Sequence, residues 1–221
     1  MLHSHFPSVI IVEHPLAQHN LSLIRDKNAH GDIFKCAFDR LAILLLVEAM
    51  KNLSLKNTPV ETPLMKTSAP TVDSDYTVLF VPILRAGLGL SETALKLFPE
   101  AKVCHIGMYR DEKTFRPVWY YDKSPERFEN PDKIKVFLLD PMLATGGSAS
   151  AAVELMLKKG IKETNIIFVS VLSAPEGIQK LSSAYPGIKI VTTAIDEKLN
   201  EYAYIMPGLG DAGDRLFNTD K

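Results

Sequence analysis

The chain is poor in the residues that mark specialised protein classes. It has two cysteines in 221 residues, Cys36 and Cys104, too far apart to form a metal-type pair or a disulfide framework. Both lie in apolar segments, which predicts buried, inert thiols and no oxidising compartment. Long hydrophobic runs are missing too. The longest, Leu41 to Val47, is bounded by Asp39-Arg40 and Glu48 and falls far short of the roughly 20 residues of a membrane span. The N-terminus lacks the basic stretch, apolar core and small-residue site of a secretory leader. A cytoplasmic protein without membrane contact is expected. Nor is either charge in excess. The 25 Lys and Arg face 26 Asp and Glu, for a formal net charge of −1. That argues against broad nucleic-acid binding, which needs many cations on phosphates, but leaves room for a local anion pocket. The six histidines, His3, His5, His14, His19, His30 and His105, have no metal-ligand spacing. Structural or surface roles are expected of them.

Hydrophobic content of 46% and charged content of 23% suit an ordinary globular enzyme. The chain reads as one domain, 1–221, with no repeat, low-complexity tract or linker. An N-terminal helical segment occupies about 1–55, a core about 76–195 and a C-terminal segment about 196–221. The first stretch, to about Ala29, is mixed. A helix follows, with Asp32 as cap and Phe34, Phe38, Leu41, Leu45 and Val47 at helical spacing. Residues 56–75, with Pro59, Pro63 and Pro70, read as a loop with short extended pieces. Strands and helices then alternate. Strands are predicted at 77–83, 102–108 (with His105 inside it), 134–139, 165–172 and 188–194. Helices are predicted at 87–98, 148–159 (stopped by Gly160) and 175–184, where Pro175 takes a first helical position. Continuous apolar strands in this alternation predict an α/β fold with a mainly parallel five-stranded sheet flanked by helices. The connection 110–133 is far longer than the usual loop of roughly 4–6 residues. A mobile lid containing a short hairpin is expected there, with a dimer-contact arm as the alternative.

The most informative stretch runs from Val136 to Ser148. An apolar strand ends on a lone carboxylate, Asp140. Pro141-Met142-Leu143-Ala144-Thr145-Gly146-Gly147-Ser148 then turns into a helix. Backbone N–H groups and hydroxyls at a helix N-terminus form a cradle for phosphate, and the carboxylate can accept hydrogen bonds from ribose hydroxyls. In a parallel sheet, ligands bind beyond the carboxyl ends of the strands. Pro82 to Gly89 follows another such end, and there Arg85 offers a forked cation for phosphate oxygens. Tyr109-Arg110-Asp111-Glu112 follows a third, and Asp196 to Arg215 the last. Gly208-Leu209-Gly210-Asp211-Ala212-Gly213 matches G-x-G-x-x-G, but no dinucleotide-binding unit fits before the chain ends. The nucleoside-triphosphate loop is excluded as well, since its Lys is absent from 140–148.

Asp140 to Ser148 resembles the phosphoribosyl-diphosphate signature of the type I phosphoribosyltransferases. Its wording, with Pro82 to Gly89 and Ile205 to Arg215, is similar to that of the uracil phosphoribosyltransferases. Pieces of the resemblance span nearly the whole chain. It implies transfer of the phosphoribosyl group from 5-phosphoribosyl 1-diphosphate (PRPP) to uracil, giving UMP and pyrophosphate. It also implies a long flexible loop and a C-terminal hood over the base. Arg85, Arg110, Asp140 and Asp211 would serve catalysis. PRPP would lie on Arg85, Arg110, the segment 140–148 and Asp211, and uracil on Ile205, Gly210, Asp211 and Ala212. Mg²⁺ would be the cofactor, carried mainly by the diphosphate rather than by direct protein ligands. A homodimer or larger homo-oligomer is implied, with GTP a candidate effector. The chain departs from the wider pattern in having Leu139, not a second acid, before Asp140, as is usual for the uracil branch. Tyr202-Ala203 stands where that branch often has His-Gly, Met206 replaces a common aliphatic residue, and 122–132 also differs. The alternative function is an RNA-binding pyrimidine regulator that retains the fold. Two further alternatives are a silent oligomerisation partner and an enzyme acting on a purine.

Overall fold

The computed structural model describes residues 6–111 and 117–219. The chain begins with strand β1 (Val9–Ile11), helix α1 (Pro15–Arg25) and the long helix α2 (Gly31–Met50). An outlying hairpin follows, β2 (Leu55–Glu61) and β3 (Lys66–Val72). Then come β4 (Thr77–Leu84), α3 (Gly87–Leu97), β5 (Lys102–Val103), β6 (Ile106–Arg110), β7 (Pro117–Asp122), β8 (Ile134–Leu139), β9 (Met142–Leu143) and α4 (Gly147–Lys158). The remainder is β10 (Ile166–Val169), β11 (Leu172–Ser173), α5 (Pro175–Ala184), β12 (Lys189–Thr192), β13 (Ala194–Ile195), β14 (Lys198–Leu199), β15 (Ile205–Met206) and α6 (Ala212–Phe217).

The main sheet has the order β1-β12-β10-β8-β4-β6-β7, with β5 also paired to β4. The five expected parallel strands lie at its centre. Parallel β1 and antiparallel β7 extend the edges. Successive residues of β8 point to opposite faces, as the pleat requires. Phe137 and Leu139 join one core with Phe34, Phe38, Leu41 and Leu45 of α2. Val136 and Leu138 join the other with Ala152, Val153 and Met156 of α4 and Ile178 and Leu181 of α5. Both faces are covered, so the strands can be apolar throughout.

Several expectations change. The mixed first stretch is ordered as β1 and α1. His14 caps α1, its Nδ1 accepting the Leu16 N–H at 3.1 Å. His30, not Asp32, occupies the cap position of α2, and Asp32 lies in the first turn, where a negative charge favours the helix dipole. Val47 points outward, as do Ile33 and Ile43. Cys36 is also exposed, because it lies off the buried stripe. Cys104 is half-buried, and burial pushes its thiol pKa up. The strand expected at 102–108 breaks at Cys104 and His105, so His105 lies between β5 and β6. The strand expected at 165–172 stops at Val169 and resumes as β11.

The supposed loop at 56–75 is a two-stranded ribbon, with Pro59 opposite Ser68 and Pro70 opposite Asn57. A free ribbon has no central strand, so prolines cost it little. Its turn is built by Thr62, whose hydroxyl accepts from the N–H groups of Leu64 and Met65 and donates to the Met65 carbonyl. Lys56 closes the base with Asp73 and Asp75. The long connection contributes one strand, β7, which pairs antiparallel with β6 before it, so the pairing uses the preceding strand rather than a hairpin within the connection. Its later part is anchored, which narrows the expected lid. Lys159 donates to the Pro125 carbonyl at 2.7 Å and lies 3.6 Å from Asp122. Among the described residues no helix is long and apolar enough to cross a membrane.

Phe38 is fully buried between α2 and the sheet. Phe38→Ala is expected to lower stability by about 3–5 kcal/mol, measured by equilibrium guanidinium unfolding. A loss below about 1 kcal/mol would contradict this packing.

Candidate active site

The loops leaving β4, β8 and β12 open on one rim, at the carboxyl ends of the parallel strands. There the chain builds a second, smaller parallel sheet, β13-β11-β9. Met142 pairs with Leu172, and Leu172 with Ala194. Where the large sheet passes into the small one, buried hydroxyls supply the polar partners. Ser170 and Ser173 lie 2.9 Å apart, and Ser173 donates to Thr192 at 3.1 Å. This small sheet carries Ala144-Thr145-Gly146 to the start of α4.

The turn is glycine-dependent at two close approaches. Gly146, the cap of α4, has φ of +72°, and a Cβ there would lie 2.9 Å from the Gly177 carbonyl oxygen. A Cβ on Gly177 would lie 2.4 Å from the Ala144 oxygen. The turn therefore packs directly on the first turn of α5. The start of α4 borders a compartment of about 200 Å³ lined by Asp140, Met142 and residues 143–149. Helix N-termini of this kind favour anions.

Two further compartments adjoin the first. One, of about 180 Å³, lies between Asp140, Met142 and Ala144 on one side and Tyr204, Ile205 and 210–213 on the other. The other, of about 330 Å³, is bordered by Arg85, Tyr109, Tyr120, Ser148 and Asp211. Asp140 lines all three. Burial at the end of β8 pushes its carboxyl up to about 7; the Met142 N–H pulls it down and the nearby Asp211 charge pushes it up.

The C-terminal hood carries little regular structure and is tied down by side chains. Arg215 donates to the carbonyls of Leu209 (2.7 Å), Asp26 (2.7 Å), Ala29 (2.8 Å) and Ile24 (2.5 Å). Its guanidinium also lies 4.3 Å from the Phe34 ring centre. Asp211 caps α6, accepting the Asp214 N–H at 3.0 Å.

The residues expected from the sequence thus largely converge. Asp140 and 142–148 line the first compartment, Ile205, Gly210, Asp211 and Ala212 the second, and Arg85 the third. Pro141 turns inward instead, its carbonyl accepting from Val171 and Leu172. Arg85 is paired with Asp214 at 3.0 Å and is half exposed. The Thr219 hydroxyl, and then Arg85, hold the Asp214 carboxyl below the usual range. Arg110 ends β6, and its side chain, like residues 112–116 of the expected lid, lies outside the described residues. Ala86, Tyr120, Tyr204 and Gly213 also line the site. Ala86 and Gly213 fall within the motif segments 82–89 and 205–215 without having been singled out, Tyr204 adjoins the second of these, and Tyr120 reaches the rim only through the fold.

A folded-state pKa near 7 for Asp140 lies above that of the unfolded chain. Its contribution to stability is complete below the unfolded pKa of about 3.9 and is lost as pH rises through 7. Asp140→Asn removes the ionisation. Between pH 5 and pH 8 the free variant is expected to gain on the order of 2–3 kcal/mol over the parent. Urea unfolding at the two pH values measures this, and an unchanged difference would contradict it.

A family model described as uracil phosphoribosyltransferase matches residues 11–219. The uracil phosphoribosyltransferase of Dictyoglomus turgidum is 50% identical over 211 residues, covering 96% of this chain and 99% of its own. That of Lactococcus lactis subsp. cremoris is 49% identical over 209 residues, covering 95% and 97%. Among solved structures, the AQ2163 protein of Aquifex aeolicus superposes with a TM-score of 0.86 at 35% identity, covering 95% of this chain and 97% of its own. These matches run across the strands, the Asp140 turn and the hood alike, and the chain belongs to the uracil phosphoribosyltransferase family.

Proposed function

We propose that this protein transfers the phosphoribosyl group of 5-phosphoribosyl 1-diphosphate to uracil, yielding UMP and pyrophosphate. The observation that carries the reading is the position of Asp140. One carboxylate is shared by a phosphate cradle, a compartment under a backbone hood and a compartment bearing Arg85. A phosphorylated sugar joined to a base on one side and a diphosphate on the other has this layout.

In this reading the 144–148 turn holds the 5′-phosphate and so places the anomeric carbon. Asp140 accepts hydrogen bonds from the ribose hydroxyls, and these donors favour its ionised form. Uracil N1 forms the new C–N bond as the C–O bond to pyrophosphate breaks, through a transition state with oxocarbenium character. The N1 proton is lost and pyrophosphate takes the bonding pair. Arg85 and Arg110 stabilise the charge on the leaving group. Arg85 must exchange Asp214 for the diphosphate to do so.

The base is recognised by backbone. Uracil presents acceptor, donor, acceptor along O2, N3–H and O4, and the 205–212 loop can answer with N–H, C=O and N–H. Cytosine reverses two of these groups, and unpaired buried groups cost about 1–3 kcal/mol each. Discrimination of roughly 10⁴-fold is within reach of such a site.

Mg²⁺ fits as a substrate-borne ion. Among the described residues no three His, Cys, Asp or Glu side chains gather in a metal cage. Mg²⁺ typically binds substrate phosphates with few protein ligands, and Asp140 and Asp211 border the compartment that bears Arg85, where a diphosphate would carry the ion. When bound, the ion would neutralise diphosphate charge. The reading includes a cytoplasmic protein and a homodimer or larger homo-oligomer. Exposed Leu64 and Met65 at the hairpin tip, and Ile33, Ile43 and Val47 on the outer face of α2, support self-association. GTP remains a candidate effector on the resemblance alone.

The test is UMP formation from labelled uracil, PRPP and Mg²⁺. The parent should favour uracil over cytosine by roughly 10⁴-fold in kcat/KM, and Asp140→Ala should lose at least about 10²-fold in kcat/KM for uracil. Efficient turnover of another base would overturn the hood assignment. Full activity in Asp140→Ala would overturn the site.

A further inference from the structure

Behind the hood, outside the compartment it covers, two opposite charges grip a single glycine. Arg25, the last residue of α1, donates from Nη1 to Asp196 Oδ2 at 2.8 Å and from Nη2 to Oδ1 at 2.5 Å. Nη1 also donates to the Gly208 carbonyl at 2.7 Å. Asp196 Oδ2 in turn accepts the Gly208 N–H at 2.8 Å. The Asp196 side chain is only 4% exposed and that of Arg25 is 25% exposed. Neither residue lines the compartment beside Ile205 and Ala212.

Gly208 is where the hood reverses direction. Its φ is +65°, and a Cβ there would lie 2.1 Å from the Ile205 oxygen. No side chain fits, so the chain folds back and sets Gly210 to Ala212 opposite Ile205. The N–H and the C=O of Gly208 belong to two successive peptide units. The carboxylate needs a donor and the guanidinium needs an acceptor, so each peptide unit is allowed one orientation only.

We propose that Arg25 and Asp196 are positioning residues that set base selectivity, a reading that rests on 205–212 being the base loop. A loop that recognises a base with its backbone is vulnerable to peptide rotation. A rotated peptide presents C=O where N–H stood, and so favours the complementary edge of a different base. The ion pair fixes the two peptide units that meet at Gly208, outside the pocket, and so limits rotation of the adjoining base-facing peptides of 210–212. Its burial is consistent with this role, because a hydrogen-bonded buried pair holds one geometry where a surface pair does not.

The test compares steady-state kinetics of Arg25→Gln and Asp196→Asn with those of Ala212→Val, which intrudes on the base compartment directly. For the ion-pair variants, KM for uracil should rise about tenfold or more, the loss expected for a mispositioned hydrogen bond. KM for PRPP should change far less, and the uracil-to-cytosine ratio of kcat/KM should fall at least as much as uracil affinity. Arg25→Lys keeps the charge but not the fork. It should show the same pattern more weakly, which keeps the test open where the stronger variants fold poorly. If both KM values move together while the selectivity ratio holds, the pair is merely structural and the proposal fails. If Ala212→Val raises KM for uracil while the ion-pair and Arg25→Lys variants leave it unchanged, the proposal fails but the base-loop reading stands. If Ala212→Val also leaves uracil untouched, that reading fails and the proposal with it.

Discussion

Parallel pairing is the constraint on which the rest of this structure depends. Strands that run the same way deliver all their following loops to one rim, whatever their separation in sequence. The loops after β4, β8 and β12 leave the sheet close together, although some 50 residues of chain lie between each. The same pairing requires a crossover between strands, which supplies the helices. One of these crossovers, α4, starts at the rim, so its first turn lines the site. Phosphate cradle, carboxylate and arginine turn therefore follow from one topological choice.

The site is built against local stability. A carboxylate stands at the end of a buried strand without a cationic partner in the described contacts, and its pKa climbs to about 7. Gly146 and Gly177 hold two backbones closer than any side chain would allow. Such features are expected where binding, rather than folding, selected the residues. The cost is offset by two apolar cores, one on each face of the sheet, and by side chains that take the place of secondary structure in the hood. Arg215 is a clear case. One guanidinium satisfies carbonyls from the end of α1, the α1–α2 turn and the hood, and so joins the first and last parts of the chain.

Much of this was legible in the sequence, and the boundary between what was and was not is physical. Apolar strands such as Val136 to Leu139, and turn residues such as Gly146 and Pro175, act locally and can be read from order alone. The phosphate turn was recognisable for the same reason. The hairpin at 55–72 was obscured because its prolines argue against a strand, and only a ribbon free of neighbours tolerates them. Val47 and Cys36 were misplaced because α2 is apolar on its outer face as well as its inner one, so periodicity did not pick the buried stripe there. Tyr120, Tyr204, Arg25 and the Arg85–Asp214 pair act across long stretches of chain. No spacing rule reports such contacts.

A crystal structure with UMP bound tests the central claim most directly. The phosphate should lie among the amides of 144–148, with the ribose hydroxyls on Asp140. The O2, N3 and O4 edge of uracil should face the backbone of 205–212. A phosphate bound elsewhere, or a base turned away from that backbone, would contradict the account.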